Sequence, residues 1–166
     1  MAGWPAWLGA ALGLYLLGGW MGAFAAALTP GLPITQTNSI GSVLTVFQHN
    51  LQVLALISGG VLTLGLSTAA ELFLNGTLLG FVGLELIQRH QVAPLVTGVV
   101  PQLPLELGAY VLAGGATLRV GWSLWWPFLS RRAGGRVPWK GWLVAEAAAV
   151  CMLFGGAVVE VLFSHV

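Results

Sequence analysis

The chain has 166 residues, 57% of them hydrophobic and only 7% charged, with a net charge of +1. A domain whose surface faces water carries about 25% charged residues, so a soluble globular domain is excluded. The few basic residues form no groove-sized patch, which excludes a nucleic-acid partner. The one cysteine, Cys151, excludes a disulfide framework within the chain and a cysteine-based metal cluster. The length suits a single domain, and residues 1–166 read as one transmembrane unit whose partner is the lipid bilayer.

A helix crosses a bilayer core with about 20 mostly apolar residues. In chain order the first such stretch is 7–28. A signal peptide cut after Ala25-Ala26-Ala27 is the rival reading, but no basic residue precedes the run. Residues 29–41, with Pro30 and Pro33, read as a loop in which Asn38 can cap the next helix. The second span is 50–66 and the third 69–88, with Ser67-Thr68 as a tight connection. Residues 89–101 mix apolar stretches with prolines and can re-enter the membrane rather than leave it. The fourth span, 104–122, is broken by Pro101 and Pro104 at its entry and ends near Trp122, Trp125 and Trp126, as helices do at headgroup level. The fifth is 141–163. The expected fold is an all-α, polytopic helical bundle of about five spans, with a proline-broken fourth span and a re-entrant segment before it.

Arg131, Arg132, Arg136 and Lys140 all lie in loop 130–140. By the positive-inside rule this loop faces the cytoplasm. The expected location is therefore the cytoplasmic membrane, multi-pass, with the N-terminus inside and the C-terminus outside. Gly9 with Gly13, and Gly76 with Gly80, are small-xxx-small pairs that let backbones approach closely. They serve packing within the protomer or, in the sharper reading, a homodimer. A faint echo pairs 54–64 with 109–118 around Gly59-Gly60 and Gly114-Gly115.

Every acidic residue is a glutamate in or at the end of a span: Glu71, Glu85, Glu106, Glu146 and Glu160. An ionisable group in the membrane costs at least a few kcal/mol and normally faces a bundle interior or a water-filled cavity. Glu85 stands one turn before Arg89, its natural ion-pair partner. Glu146 reads as an interfacial residue near the basic loop, and Glu71 as a favourable charge near a helix N-terminus. Glu106 follows the two prolines, where a broken backbone leaves amides in need of acceptors; it either repairs that break or binds a cation. Glu160, among small and apolar neighbours, needs a proton, a hydrogen bond or a counter-charge. Asn50 and Asn75 are the amides expected to be buried. His49, His90 and His165 read as interfacial residues. No nucleophile elbow, phosphate loop, zinc motif or dinucleotide fingerprint is present, so no enzyme, metal or cofactor is expected.

These motifs, in this order, resemble the stage II sporulation protein M family. Phe47-Gln48-His49-Asn50 is similar to that family's entry to a span, and Gly59-Gly60 follows at the right distance. Leu74-Asn75-Gly76-Thr77-Leu78-Leu79-Gly80 resembles its asparagine-glycine-xxx-glycine motif. Pro101-Gln102-Leu103-Pro104-Leu105-Glu106 resembles its proline-histidine-glycine-xx-glutamate motif, trailed by Ala109 and Gly114-Gly115. Glu160 sits where the family places a glutamate late in its last span. Two positions depart: the histidine is Gln102 and the glycine Leu103, so a proton or metal carried by that histidine is lost here. The resemblance implies helix packing at Gly59, Gly60, Gly76, Gly80, Gly114 and Gly115. It also implies a non-enzymatic scaffold or anchor for protein partners in a cell-envelope complex, since in spore formers the family member works with peptidoglycan-degrading enzymes. The alternative is a small transporter or channel with a polar intramembrane site around Glu106, Asn50, Asn75, Glu160 and Gln102. Convergence of these residues on a cavity would favour the second expectation.

Overall fold

Helix boundaries follow local chemistry. The computed structural model describes residues 3–30, 42–130 and 136–163. It holds α1 (Trp4–Leu28), α2 (Val43–Ser58), α3 (Leu66–Gln88), α4 (Leu103–Ser130) and α5 (Trp139–Phe163). Among the described residues there is no strand. Three of these helices, α1, α3 and α5, are long and apolar enough to cross a membrane. Leu16, Trp20, Leu28, Leu78, Phe128 and Val144 stand exposed on the outer surface. An apolar exterior of this extent belongs to a membrane protein.

The start of α2 differs from the expected second span. Ser42 caps the helix, its Oγ accepting the Thr45 amide at 3.2 Å, so α2 begins at Val43 and Asn50 lies inside it. The candidate cap Asn38, the basic pair Arg131-Arg132, and His165 lie outside the described residues. Arg136, by contrast, is described and exposed. The chain turns back after α2 through a 3-10 turn at Gly59–Val61 and through Leu64 and Gly65, with φ of 58° and 86°. A side chain at the second of these would be strained. Ser67 and Thr68 are therefore not the connection but the first turn of α3. Their hydroxyls donate to carbonyls at the end of α2, Ser67 Oγ to Leu56 at 3.1 Å and Thr68 Oγ1 to Ile57 at 2.6 Å. The indole N–H of Trp125 donates to the Val61 carbonyl at 3.0 Å. Carbonyls at a helix end have no partner within the helix, and here three of them are met from outside it.

Between α3 and α4 the chain forms a short helical piece at Val92–Pro94 and a π-turn at Leu95–Val99. The prolines do not interrupt α4 internally. Pro101 and Gln102 lie in a turn, and Pro104 falls in the first turn of α4, where its missing N–H is no loss. The Gln102 carbonyl accepts the amides of Leu105 and Glu106, at 3.0 and 3.1 Å. The proline inside α4 is Pro127, and the helix runs past Trp122 to Ser130.

α4 touches all the other helices, and it holds Ala109, Tyr110, Ala113 and Ala116 in the core. The paired glycines differ in use. Gly59-Gly60 make the 3-10 turn, whereas Gly114 and Gly115 sit in mid-helix and receive the side chain of Leu72 and the backbone of Leu8. The tightest seam joins α1 to α3. A Cβ on Gly18 would strike the Phe73 carbonyl, one on Gly22 the Thr77 carbonyl, one on Gly76 the Tyr15 carbonyl and one on Gly80 the Gly19 carbonyl. The Gly76/Gly80 pair therefore packs within the protomer. Gly9 and Gly13 meet nothing within 4 Å.

Replacing Gly76 with leucine should cost about 2 kcal/mol or more, because backbone atoms rather than flexible side chains would have to move. Replacing Gly9 with alanine should change stability by less than about 0.5 kcal/mol. Thermal unfolding of the two variants in detergent measures the contrast, and equal melting temperatures would contradict the seam.

Candidate functional site

Glu106 enters α4 one turn after the Gln102 carbonyl that caps the helix. That position projects its side chain toward α2. The amide Nδ2 of Asn50 donates to Glu106 Oε1 at 2.7 Å, and Asn50 is 6% exposed. An interhelical bond to a carboxylate in a site shielded from water is short and strong. Gly156 on α5 makes room for it, since a Cβ there would lie 3.3 Å from Glu106 Cγ. Phe47, one turn before Asn50, packs edge-on against Phe154 of α5 with centroids 5.5 Å apart, so α2 is held against α5 beside the bond.

Asn50 and Glu106 stand on the wall of a cavity of about 250 Å³, which Tyr15, His49, Asn75 and Tyr110 also line. Four helices and the π-turn, through Val99, contribute to it. Asn75 lines the cavity while its Nδ2 donates to the Glu71 carbonyl one turn back, at 2.8 Å. Tyr15 reaches the site because its own backbone is pinned against Gly76. Glu160 does not line the cavity but lies within electrostatic reach of both Glu106 and His49. Gln102 lies at the turn before α4, and its Oε1 is buried without a hydrogen-bond partner among the described residues.

Sequence reasoning thus named Asn50, Asn75 and Glu106, which the fold brings to one cavity, with Glu160 beside it. It missed Tyr15 and Tyr110, and it read His49 as interfacial. A usable signal was present: the chain has only two tyrosines, and both face this cavity. The arrangement offers a carboxylate held by one amide, with lone pairs to spare, two phenol groups, an imidazole and a second amide. Such a set can hold a small polar or cationic group. Among the described residues no group of three or more histidine, cysteine or acidic side chains is placed to bind a metal ion.

A second polar cluster lies nearer the tryptophan-rich end. Glu146 is bonded across helices: Ser58 Oγ donates to its Oε2 at 2.9 Å and Thr117 Oγ1 to its Oε1 at 3.3 Å. Trp142 Nε1 donates to Thr117 Oγ1 at 3.0 Å. These bonds close over α2, α4 and α5 and account for the glutamate as a staple between helices. Glu85 is wholly buried and pairs with Arg89 as its spacing predicts, Oε1 to Nη2 at 2.8 Å.

A family model described as stage II sporulation protein M matches residues 11–165. No curated protein and no solved structure matches the chain.

Asn50→Leu should destabilise the protein by about 1–3 kcal/mol, because it strands the Glu106 carboxylate without its donor. The double variant Asn50→Leu/Glu106→Leu should recover part of that loss. A double-mutant cycle read by thermal unfolding checks this, and strictly additive losses would show that the two side chains are not coupled.

Proposed function

The chain belongs to the stage II sporulation protein M family, and on that premise we propose that it is a small multi-pass transporter of the cytoplasmic membrane. Its polar cavity receives a small polar or cationic solute. The observation that carries this reading is the Asn50–Glu106 hydrogen bond on the wall of a cavity also lined by Tyr15, Asn75 and Tyr110. A glutamate that served only to repair a helix start would be sealed against backbone amides, whereas this one meets a side chain from another helix at an open space. Short or interrupted helices facing polar groups recur at transport sites. α2, about 24 Å long at 1.5 Å per residue, is too short to cross unaided, and the π-turn at Leu95–Val99 adds an irregular segment to the cavity wall.

In this reading all five helices are embedded, and the segment before α4 is re-entrant. Loop 130–140 faces the cytoplasm, the N-terminus lies inside and the C-terminus outside. The protein makes and breaks no covalent bond. Reporter fusions placed within loop 130–140 and at the C-terminus should report opposite sides of the membrane. Fusions reporting the same side would rule out a crossing by α5.

In proteoliposomes the wild-type protein should pass potassium, tetramethylammonium or another small cation from a test panel, and Glu106→Gln should abolish that flux with the helical content unchanged. Flux no greater than in empty liposomes across the panel would overturn the transporter. Unfolding of Glu106→Gln would assign the glutamate to structure instead.

A second reading is favoured by the open faces of Gly9 and Gly13 on α1, where another helix can approach closely. There the chain is a scaffold that anchors partners in a cell-envelope complex, as its family membership implies. Purification in mild detergent should then recover a reproducible partner, and repeated recovery of the chain alone would count against it.

A further inference from the structure

We propose that the groove between α1, α4 and the start of α5 is a binding site for one anionic phospholipid of the surrounding leaflet. The groove has a volume of about 460 Å³ and is lined by Trp4, Leu112, Lys140, Gly141, Val144 and Ala148, among others. On α5 these positions fall on one face over the first turns, a strip about 12 Å long at 1.5 Å per residue. The side chains are small along that strip, and Val144 is 70% exposed, so the groove opens sideways to the acyl region. An acyl chain fits such a channel without displacing any polar partner.

Charge decides the headgroup. Lys140 lines the end of the groove at the start of α5, where the helix dipole also favours an anion. Arg119 stands 5.0 Å over the ring of Trp4, so a second cation sits at the same end. Among the described residues neither Lys140 nor Arg119 is paired with a carboxylate, and no acidic side chain lines the groove. Gly141 has no side chain, so the Trp4 ring lies close against α5, within 3.3 Å of where a Cβ would be, and forms one wall of the groove. Trp4, Trp122, Trp126, Trp139 and Trp142 gather at this end of the bundle, the depth at which indoles meet headgroups. Basic pockets between membrane helices recognise anionic headgroups in this way. A neutral phosphatidylcholine would fill the apolar channel equally well but gain nothing from the two cations. The Glu106 cavity plays no part in this site.

Native mass spectrometry of the full chain in detergent, titrated with phosphatidylglycerol and with phosphatidylcholine of the same acyl chains, tests the proposal. A one-to-one phosphatidylglycerol adduct should survive activation that strips phosphatidylcholine. Lys140→Gln should weaken that adduct about fivefold, the effect of one basic residue near an anionic surface, and Lys140→Arg should retain it. Val144→Trp, which fills the channel from an exposed position, should remove it while the melting temperature stays unchanged. Equal retention of the two lipids would overturn the proposal. So would undiminished phosphatidylglycerol binding by Lys140→Gln or by a folded Val144→Trp.

Discussion

Backbone-to-backbone contact between α1 and α3 is the constraint on which the other features rest. In lipid there is little hydrophobic drive to bring helices together, so association depends on close packing and on interhelical hydrogen bonds. Gly18 and Gly22 on one side, and Gly76 and Gly80 on the other, allow each helix to lay its carbonyls against the other's Cα positions. The seam sets the rotation of α1 and thereby aims Tyr15 at the cavity. It also sets α3, and with it Asn75, which adjoins one of the four glycines. A larger residue at any of these positions would push the walls of the cavity apart.

The remaining helices are joined by polar atoms that each need a partner away from water. Ser67, Thr68 and Trp125 close the carbonyl end of α2 and its turn. Glu146, Ser58, Thr117 and Trp142 tie α2, α4 and α5 together. Asn50 and Glu106 join α2 to α4 again, nearer the start of both helices. A polar group left unpaired in hydrocarbon costs several kcal/mol, so each link also restricts where a helix can go. The difference between the two carboxyl clusters is informative. Glu146 has protein donors at both oxygens, whereas Glu106 is held at one oxygen and borders a cavity. The first is a staple; the second retains capacity for a guest.

Much of the fold is legible in the sequence alone. Apolar run lengths put the expected first, third and fifth spans within three residues of α1, α3 and α5, and the odd glutamates and asparagines among them flag an interior. Asn50, Asn75 and Glu106 were identifiable because an amide or carboxyl in a membrane stretch has few inexpensive explanations. The errors have equally physical sources. An apolar window ignores a serine cap, so it puts the start of α2 several residues late. The prolines suggest a break because sequence does not show whether a proline begins a helix or interrupts one. The bonds from Glu146 to Ser58 and Thr117 are not legible in the sequence, because they depend on how α2, α4 and α5 cross. His49 and the tyrosines stand out little in the sequence, because aromatic residues are ordinary in membrane helices.

The sequence by itself determined that this chain is an all-helical membrane protein, its family, and which polar residues could not be indifferent to lipid. Those properties follow from transfer energies summed along single segments, and no contact between segments enters the sum. Tertiary structure alone decided which glutamates meet donors from other helices, that Gly76 and Gly80 face Tyr15 and Gly19 within the same chain, and that both tyrosines turn toward one cavity. Each of those depends on the rotation and depth of one helix against the next, which only the packing sets.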